Sequence, residues 1–332
     1  MDRITLGNDE FEGRNNAYVL EDDDALALVD TGVAMADVRS DLEEGLADRG
    51  YEFADVDDIV LTHYHVDHAG LAGEIQAESG ATVYVHEADV PLVEQDPDAF
   101  EARERRHREF LEQWGVPEDA REELFSFLDL FEEIEGEPVD ATPIADGDAL
   151  EVGGRTLEAV HAPGHAAGLC CFEIDDGDEA FVGDAVLPVY TPNVGGADVR
   201  VDRPLEKYLK TLRTIADRDY DRVWPGHRAP IEEPTDRALT ILEHHRERTA
   251  KILDVLEEHG PADPWTVSAR LFGDLEGIHV IHGPGEAYAH LDHLYHEGVV
   301  GCEDDEYCLR TKPADVDLES LFPTATWPET AE

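Results

Sequence analysis

Apolar and polar positions along the chain follow two alternating periods. Near the N-terminus they recur at strand spacing: Ile4 to Leu6, Asn16 to Leu20 and Ala25 to Val29 each read as a short strand closed by polar or glycine-containing turns. The period then changes to that of a helix from Ala34 to Arg49, with Val38, Leu42 and Leu46 on one face and Gly50 as the stop. A strand from Asp58 to Leu61, a helix over Gly73 to Glu78 and a strand from Ala81 to His86 follow, with His86 read as a packing residue. Between roughly 96 and 136, Phe100, Phe110, Leu111, Trp114, Leu124, Phe127, Leu128 and Phe131 predict two amphipathic helices broken at Gly115-Val116-Pro117. Val139 to His161 alternates around Gly153-Gly154 as a hairpin, and Leu169 to Ile174 pairs with Ala180 to Val182 through the turn Asp175-Asp176-Gly177. A helix over Pro204 to Ala216 comes next. After Pro234 the character shifts to three helices, Leu239 to His259, Pro264 to Leu271 and Pro284 to Glu297, then a hairpin from Val299 to Leu309. Leu291, Leu294 and Tyr295 mark the apolar side of the third helix, and the stripe His290, His293, His296 reads as an exposed polar face in preference to a metal cluster. Residues 313–332 read as a loosely packed tail.

Composition changes this picture chiefly through charge. The 332 residues are 42% hydrophobic, enough for one large core and a small second one. Asp and Glu number 79 against 25 Lys and Arg, a net charge of −54, and lysine occurs only at 207, 210, 251 and 312. The carboxylates are spread between apolar segments, which argues against an acidic disordered tail. Such a balance reads as adaptation to high salt, because molar salt shortens the Debye length to about 3 Å and removes most of the self-repulsion. No apolar run approaches the ~20 residues of a membrane helix and no signal segment opens the chain, so a cytoplasmic protein is expected. Cys170, Cys171, Cys302 and Cys308 are too few for a disulfide framework, and the first two sit in a strand pattern as small hydrophobes.

Candidate chemistry concentrates just after the strand Asp58 to Leu61. Thr62-His63-Tyr64-His65-Val66-Asp67-His68 places His63, His65, Asp67 and His68 close together, and imidazole with carboxylate is the ligand set that a borderline divalent ion such as zinc takes. On an extended segment His63 and His65 share a face, while Asp67 and His68 on the following turn can reach a second ion. Histidines of a plain surface loop would be the bland account. Against it, further candidates recur downstream in Ala162-Pro163-Gly164-His165, Phe181-Val182-Gly183-Asp184 and Trp224-Pro225-Gly226-His227. No serine nucleophile elbow, glycine-rich phosphate loop or dinucleotide fingerprint competes.

These motifs resemble, in order, those of the metallo-β-lactamase fold superfamily, over roughly residues 1–235. The resemblance implies an α/β fold: a four-layer αββα sandwich as catalytic domain over 1–235, with the helical insert at about 96–136 expected as a lid over the cleft, a peripheral helical hairpin being the alternative. It also implies two zinc ions, with manganese or iron able to replace one. His63, His65 and His165 would hold one ion, Asp67, His68 and His227 the other, with Asp184 and a hydroxide bridging them. Asp67 would return a proton to the leaving group. In the family the turn Asp30-Thr31-Gly32 lies beneath the metals, so Asp30 is either a support for the ligands or a simple turn carboxylate. Tyr190, Thr191 and Asn193, on the loop leaving Asp184, are the candidates for substrate contact. Residues 236–312 resemble the small winged-helix-like domain carried by some of these hydrolases.

The reaction implied is zinc-dependent hydrolysis of a small-molecule thioester, ester or lactone, similar to glyoxalase II. A metal-dependent endoribonuclease and a non-catalytic regulatory or binding module are the alternatives. From Leu271 to Leu309 there is no lysine or arginine, which argues against nucleic acid as a partner and for a packing or homodimerisation role of the C-terminal domain. Arg103, Arg105, Arg106 and Arg108, and the run Arg200, Arg203, Lys207, Lys210 and Arg213, are either solvated faces or holders of one small anionic group.

Overall fold

A computed structural model describes residues 1–7, 13–128 and 134–322; Phe131 and the end of the expected tail, 323–332, lie outside the described residues. Six strands form the first sheet in chain order: β1 (Asp2–Thr5), β2 (Asn16–Glu21), β3 (Leu26–Val29), β4 (Asp58–Val60), β5 (Thr82–His86) and β6 (Ala141–Ile144). The first three pair antiparallel, and from β3 onward the neighbours are parallel. The second sheet has the order β11-β10-β9-β8-β7 and is made of β7 (Ala149–Val152), β8 (Arg155–His161), β9 (Cys170–Ile174), β10 (Glu179–Gly183) and β11 (Arg222–Pro225). A separate hairpin pairs β12 (Val300–Glu303) with β13 (Glu306–Leu309). The helices are α1 (Ala36–Ala47), α2 (Val66–Ala69), α3 (Ala72–Ser79), α4 (Val90–Val93), α5 (Pro97–Gln113), α6 (Glu118–Leu128), α7 (Pro204–Arg218), α8 (Pro234–His259), α9 (Pro264–Phe272), α10 (His279–His296) and α11 (Leu318–Leu321).

Alternation along each strand builds four layers. Leu20, Ala27, Val29 and Val60 face Leu157, Cys170, Phe172 and Phe181 across the gap between the sheets. Their neighbours Val19, Leu26, Leu28 and Ile59 point the other way, onto Val38, Leu42 and Leu46 of α1 and Ile75 of α3. Cys171, Ala180, Val182 and Val223 likewise turn outward onto α7 and α8. Both faces of each sheet are therefore buried, which is why these strands read as nearly continuous apolar runs. The result is the expected αββα sandwich.

Three departures from the expected elements have physical causes. The run from Val139 to His161 divides between the sheets, β6 joining β5 while β7 and β8 alone form the hairpin. Helix α10 begins at His279, five residues before the expected start, with Pro284 inside it. Proline favours a first turn, but here Val280, Ile281, Gly283 and Gly285 are all buried, and packing outweighs the lost N–H bond. The histidine stripe is not an exposed face: His290 is buried between His245 and Thr249, and His293 bonds the Leu321 carbonyl. Only His296 faces solvent, whereas Tyr295, expected inside, is 43% exposed.

Beyond the sandwich, α8 joins two cores, giving Ile241 and Leu242 to the second sheet and Ile252, Leu253 and Leu256 to a cluster with Leu291, Leu294 and Val300. The insert also packs inward. Leu111, Trp114, Val116 and Leu124 cluster with Val199 and with Val280 and Ile281 of α10.

Candidate metal centre

Four chain segments that follow β4, β8, β10 and β11 converge at one edge of the sandwich. They bring His63, His65, Asp67, His68, His165, Asp184 and His227 together in three overlapping groups, each with its donor atoms within 4.8 Å of one another. His65 Nδ1 lies 2.9 Å from His63 Nε2 and 3.1 Å from His165 Nε2. His227 Nε2 stands 3.3 Å from Asp67 Oδ2 and 3.4 Å from Asp184 Oδ2, and His68 Nε2 is 3.5 Å from Asp184 Oδ1. Room for this approach comes from Gly226, where a Cβ would sit 2.4 Å from the His68 ring and 2.6 Å from Asp184 Oδ1.

The outward nitrogens of the rings decide where their protons are. His65 Nε2 meets the Ala197 carbonyl at 3.2 Å, His165 Nδ1 the Asn193 carbonyl at 2.9 Å and His227 Nδ1 the Gly13 carbonyl at 3.3 Å. A carbonyl only accepts, so each of these nitrogens carries the hydrogen. His68 Nδ1 donates in the same way to Asp30 Oδ2 at 2.8 Å. Thr62 gives its one hydroxyl proton to Asp30 Oδ2 at 2.8 Å, so its oxygen accepts from His63 Nδ1 at 3.0 Å. In the neutral rings every inward nitrogen is then a bare lone pair. Buried lone pairs about 3 Å apart repel and cost free energy unless a cation or proton lies among them. His68 Nε2, His227 Nε2 and Asp184 Oδ1 indeed have no hydrogen-bond partner among the described residues. The donor set and its polarity therefore fit a divalent cation at each half of the cluster.

Electrostatics divides the two halves. Burial first, and then His165, hold His65 down to about 3, and burial with His68 and His65 keeps His63 well below its ordinary value. Burial opposes charge on His227 too, but Asp184 and Asp67 outweigh it and lift the ring to about 10. Asp184 itself is held well below the carboxylate range, where burial is outweighed by His227 and His68. One half is thus neutral imidazole, the other a mixture of carboxylate and imidazole that attracts positive charge.

Asp30 resolves as a support: its carboxylate takes Thr62 N, Thr62 Oγ1 and His68 Nδ1, all at 2.8 Å. Asn15, which carried no signal in the sequence, donates to Asp67 Oδ2 at 3.0 Å from 52 residues away. Tyr190 is 49% exposed beneath the Arg228 guanidinium, and Thr191 is half-buried. Asn193 spends both ends of its side chain within the protein, donating to the His282 carbonyl and accepting from Gly196 N, each at 3.1 Å. His86 stacks on His161 at 4.1 Å, as a packing residue does. The arginines near the cleft are mostly paired: Arg200 with buried Asp89 and Asp198, Arg103 with Glu135, Arg108 with Glu104, and Arg106 with Asp202 and the Val199 carbonyl.

The model of the Metallo-beta-lactamase superfamily matches residues 11–227, which include every residue of the cluster. The chain belongs to this superfamily. Among solved structures it is similar to a metallo-beta-lactamase family protein from Thermus thermophilus, at 31% identity and a TM-score of 0.80, covering 93% of this chain and 98% of that one. Among curated relatives, the Bacillus subtilis protein named "Probable metallo-hydrolase YqjP" is 28% identical over 83% of this chain and 86% of its own length. A stretch of 114 residues is 31% identical to an atrochrysone carboxyl ACP thioesterase of Aspergillus fumigatus, covering 34% of each chain. Superfamily membership and the cluster's donor set make metal-dependent hydrolysis the chemistry to consider.

Proposed function

We propose that the chain is a dinuclear metal-dependent hydrolase, zinc being its expected metal, and that it acts on a small-molecule thioester, ester or lactone. The observation that carries this reading is the set of inward lone pairs, each fixed by an outward hydrogen bond. His63, His65 and His165 would hold one ion and Asp67, His68 and His227 the other, and the pair would supply polarisation of an acyl carbonyl and a water with its pKa brought toward about 7. The chain's own residues hold and aim the ligands, and Asn15 keeps the Asp67 carboxylate turned to the centre, where it can take up a proton. With their inward atoms committed to cations, the clustered imidazoles and carboxylates would offer a leaving group no proton of their own. A leaving group that departs readily as an anion then suits the site best, and a thiolate needs the least acid assistance. Thioesters therefore lead the proposed substrates, in keeping with the partial likeness to a thioesterase. Tyr190 and Val189, exposed on the segment after Asp184, form the proposed contact surface for the acyl or leaving group.

The test is a panel of thioesters, esters and lactones run in molar potassium chloride, with metal content measured on the same samples. About two divalent ions per chain and metal-dependent turnover are expected, and Asp184→Ala should lose one ion and most activity. Retention of both ions and full turnover by Asp184→Ala would sink the assignment. Labelled RNA incubated under the same conditions should stay intact. Cuts abolished by His65→Ala would transfer the function to a ribonuclease.

A further inference from the structure

Helix α10 lies outside the sandwich, yet it meets the segment 193–197, whose carbonyls aim two of the clustered rings. Asn193 O accepts from His165 Nδ1 at 2.9 Å and Ala197 O from His65 Nε2 at 3.2 Å. Asp198, next in the chain, accepts at 2.8 Å from the backbone N–H of Ala167, two residues beyond His165. The path of this segment therefore sets where two imidazole lone pairs point.

That path is set in turn by α10. The Asn193 side chain bridges to it, donating to the His282 carbonyl while accepting from Gly196 N. Backbone meets backbone at three glycines. Gly195 has φ +93°, and a Cβ there would lie 2.5 Å from the Gly285 carbonyl oxygen. A Cβ on Gly196 would lie 2.7 Å from His282 Cα, and one on Gly285 would lie 2.4 Å from Gly196 Cα and 2.5 Å from Gly196 N. Separations this short leave no room for side chains on either partner. Gly283, on the same helix, faces elsewhere: its Cβ would meet only the flexible Leu275 side chain, at 2.8 Å.

We infer that His282 and Gly285 of α10 form a positioning element for the His63, His65 and His165 half of the centre, acting through the segment 193–197. This gives the C-terminal helices a part in metal binding, and it rests on the proposed metal-centre reading. Supporting partners of ligating histidines typically change metal affinity by about 10–100-fold when removed. Displacing two carbonyls at once should act on this half and spare the half formed by Asp67, His68 and His227.

Cobalt(II) titration of the metal-free full-length protein in molar potassium chloride, followed by visible absorption, is the test. The wild type should bind in two steps, with His165→Ala removing one and His227→Ala the other. Gly285→Ala should weaken the step that His165→Ala removes by about 10-fold or more and leave the other in place. Asn193→Ala, which keeps the carbonyl but cuts the bridge to His282, should weaken the same step by less. Gly283→Ala should titrate as wild type while sharing any loss of helix stability, read by circular dichroism of the metal-free forms. The inference is overturned if Gly285→Ala and Asn193→Ala titrate as wild type, if both steps weaken equally, or if Gly283→Ala reproduces the loss. A wild type that binds no cobalt would instead remove the metal-centre reading itself.

Discussion

Asp30 adopts φ +56°, a left-handed conformation that costs an L-residue roughly 1–2 kcal/mol, and from it accepts three hydrogen bonds at the base of the centre. Asp30→Ala would leave Thr62 N and His68 Nδ1 buried without an acceptor. Metal affinity is expected to fall about 10–100-fold and stability by about 2–3 kcal/mol, measured by competition with a chelator and by denaturant unfolding. Asp89 supplies a prediction in pH. Its carboxyl is fully buried, and burial lifts it to about 6 even though Arg200 pulls the other way. A carboxyl whose folded pKa exceeds the unfolded value of about 3.9 binds more protons folded than unfolded. Its contribution to stability therefore grows as pH falls from about 7 through 6 and levels off near 4. Asp89→Asn should flatten that part of the profile relative to wild type, and equal pH slopes in the two proteins would refute the assignment.

At the scale of elements, the insert is bound to the rest of the molecule through Trp114. The indole is 1% exposed, 5.3 Å from the Phe110 ring and 5.4 Å from that of Tyr288 on α10, and its backbone carbonyl accepts from Trp265 N at 2.8 Å. Trp114→Ala should cost about 3–5 kcal/mol. Trp114→Phe should cost less, because it removes an indole N–H that is buried without a partner among the described residues. Thermal melting of both variants beside wild type checks the order, and equal losses would contradict it. The amphipathic pattern of α5 and α6 was readable in the sequence, since each helix buries one face. Their packing on α9 and α10 was not, because it joins residues over a hundred positions apart that share no local period.

For the whole molecule, the net charge of −54 dominates. Many arginines are already committed to carboxylates, as at Arg39 with Glu43, Glu74 and Glu78, so the surplus negative charge stays uncompensated by the chain itself. Below molar salt the range of repulsion widens from about 3 Å to about 10 Å, and circular dichroism and activity should fall together as potassium chloride is diluted. A fold and turnover indifferent to dilution would rule out the adaptation to salt.

Most strands and helices were legible in the sequence because periodicity is a local property, whereas the sandwich followed from the likeness of the motifs to those of the superfamily. The clustered residues were legible too, since they sit in short motifs at strand ends, where chemistry and turn geometry constrain neighbouring positions together. Tertiary structure decided the rest: that Asn15 and Asp30 hold Asp67 and His68, that β6 leaves the expected hairpin for the first sheet, and that His290 is buried instead of exposed. It also decided that Arg200 is spent on Asp89 and Asp198, and that Asn193 turns from the cleft toward α10. Each of these depends on a partner or a surface brought close by the fold, and a contact between distant positions leaves no period, spacing or composition in either segment from which to read it.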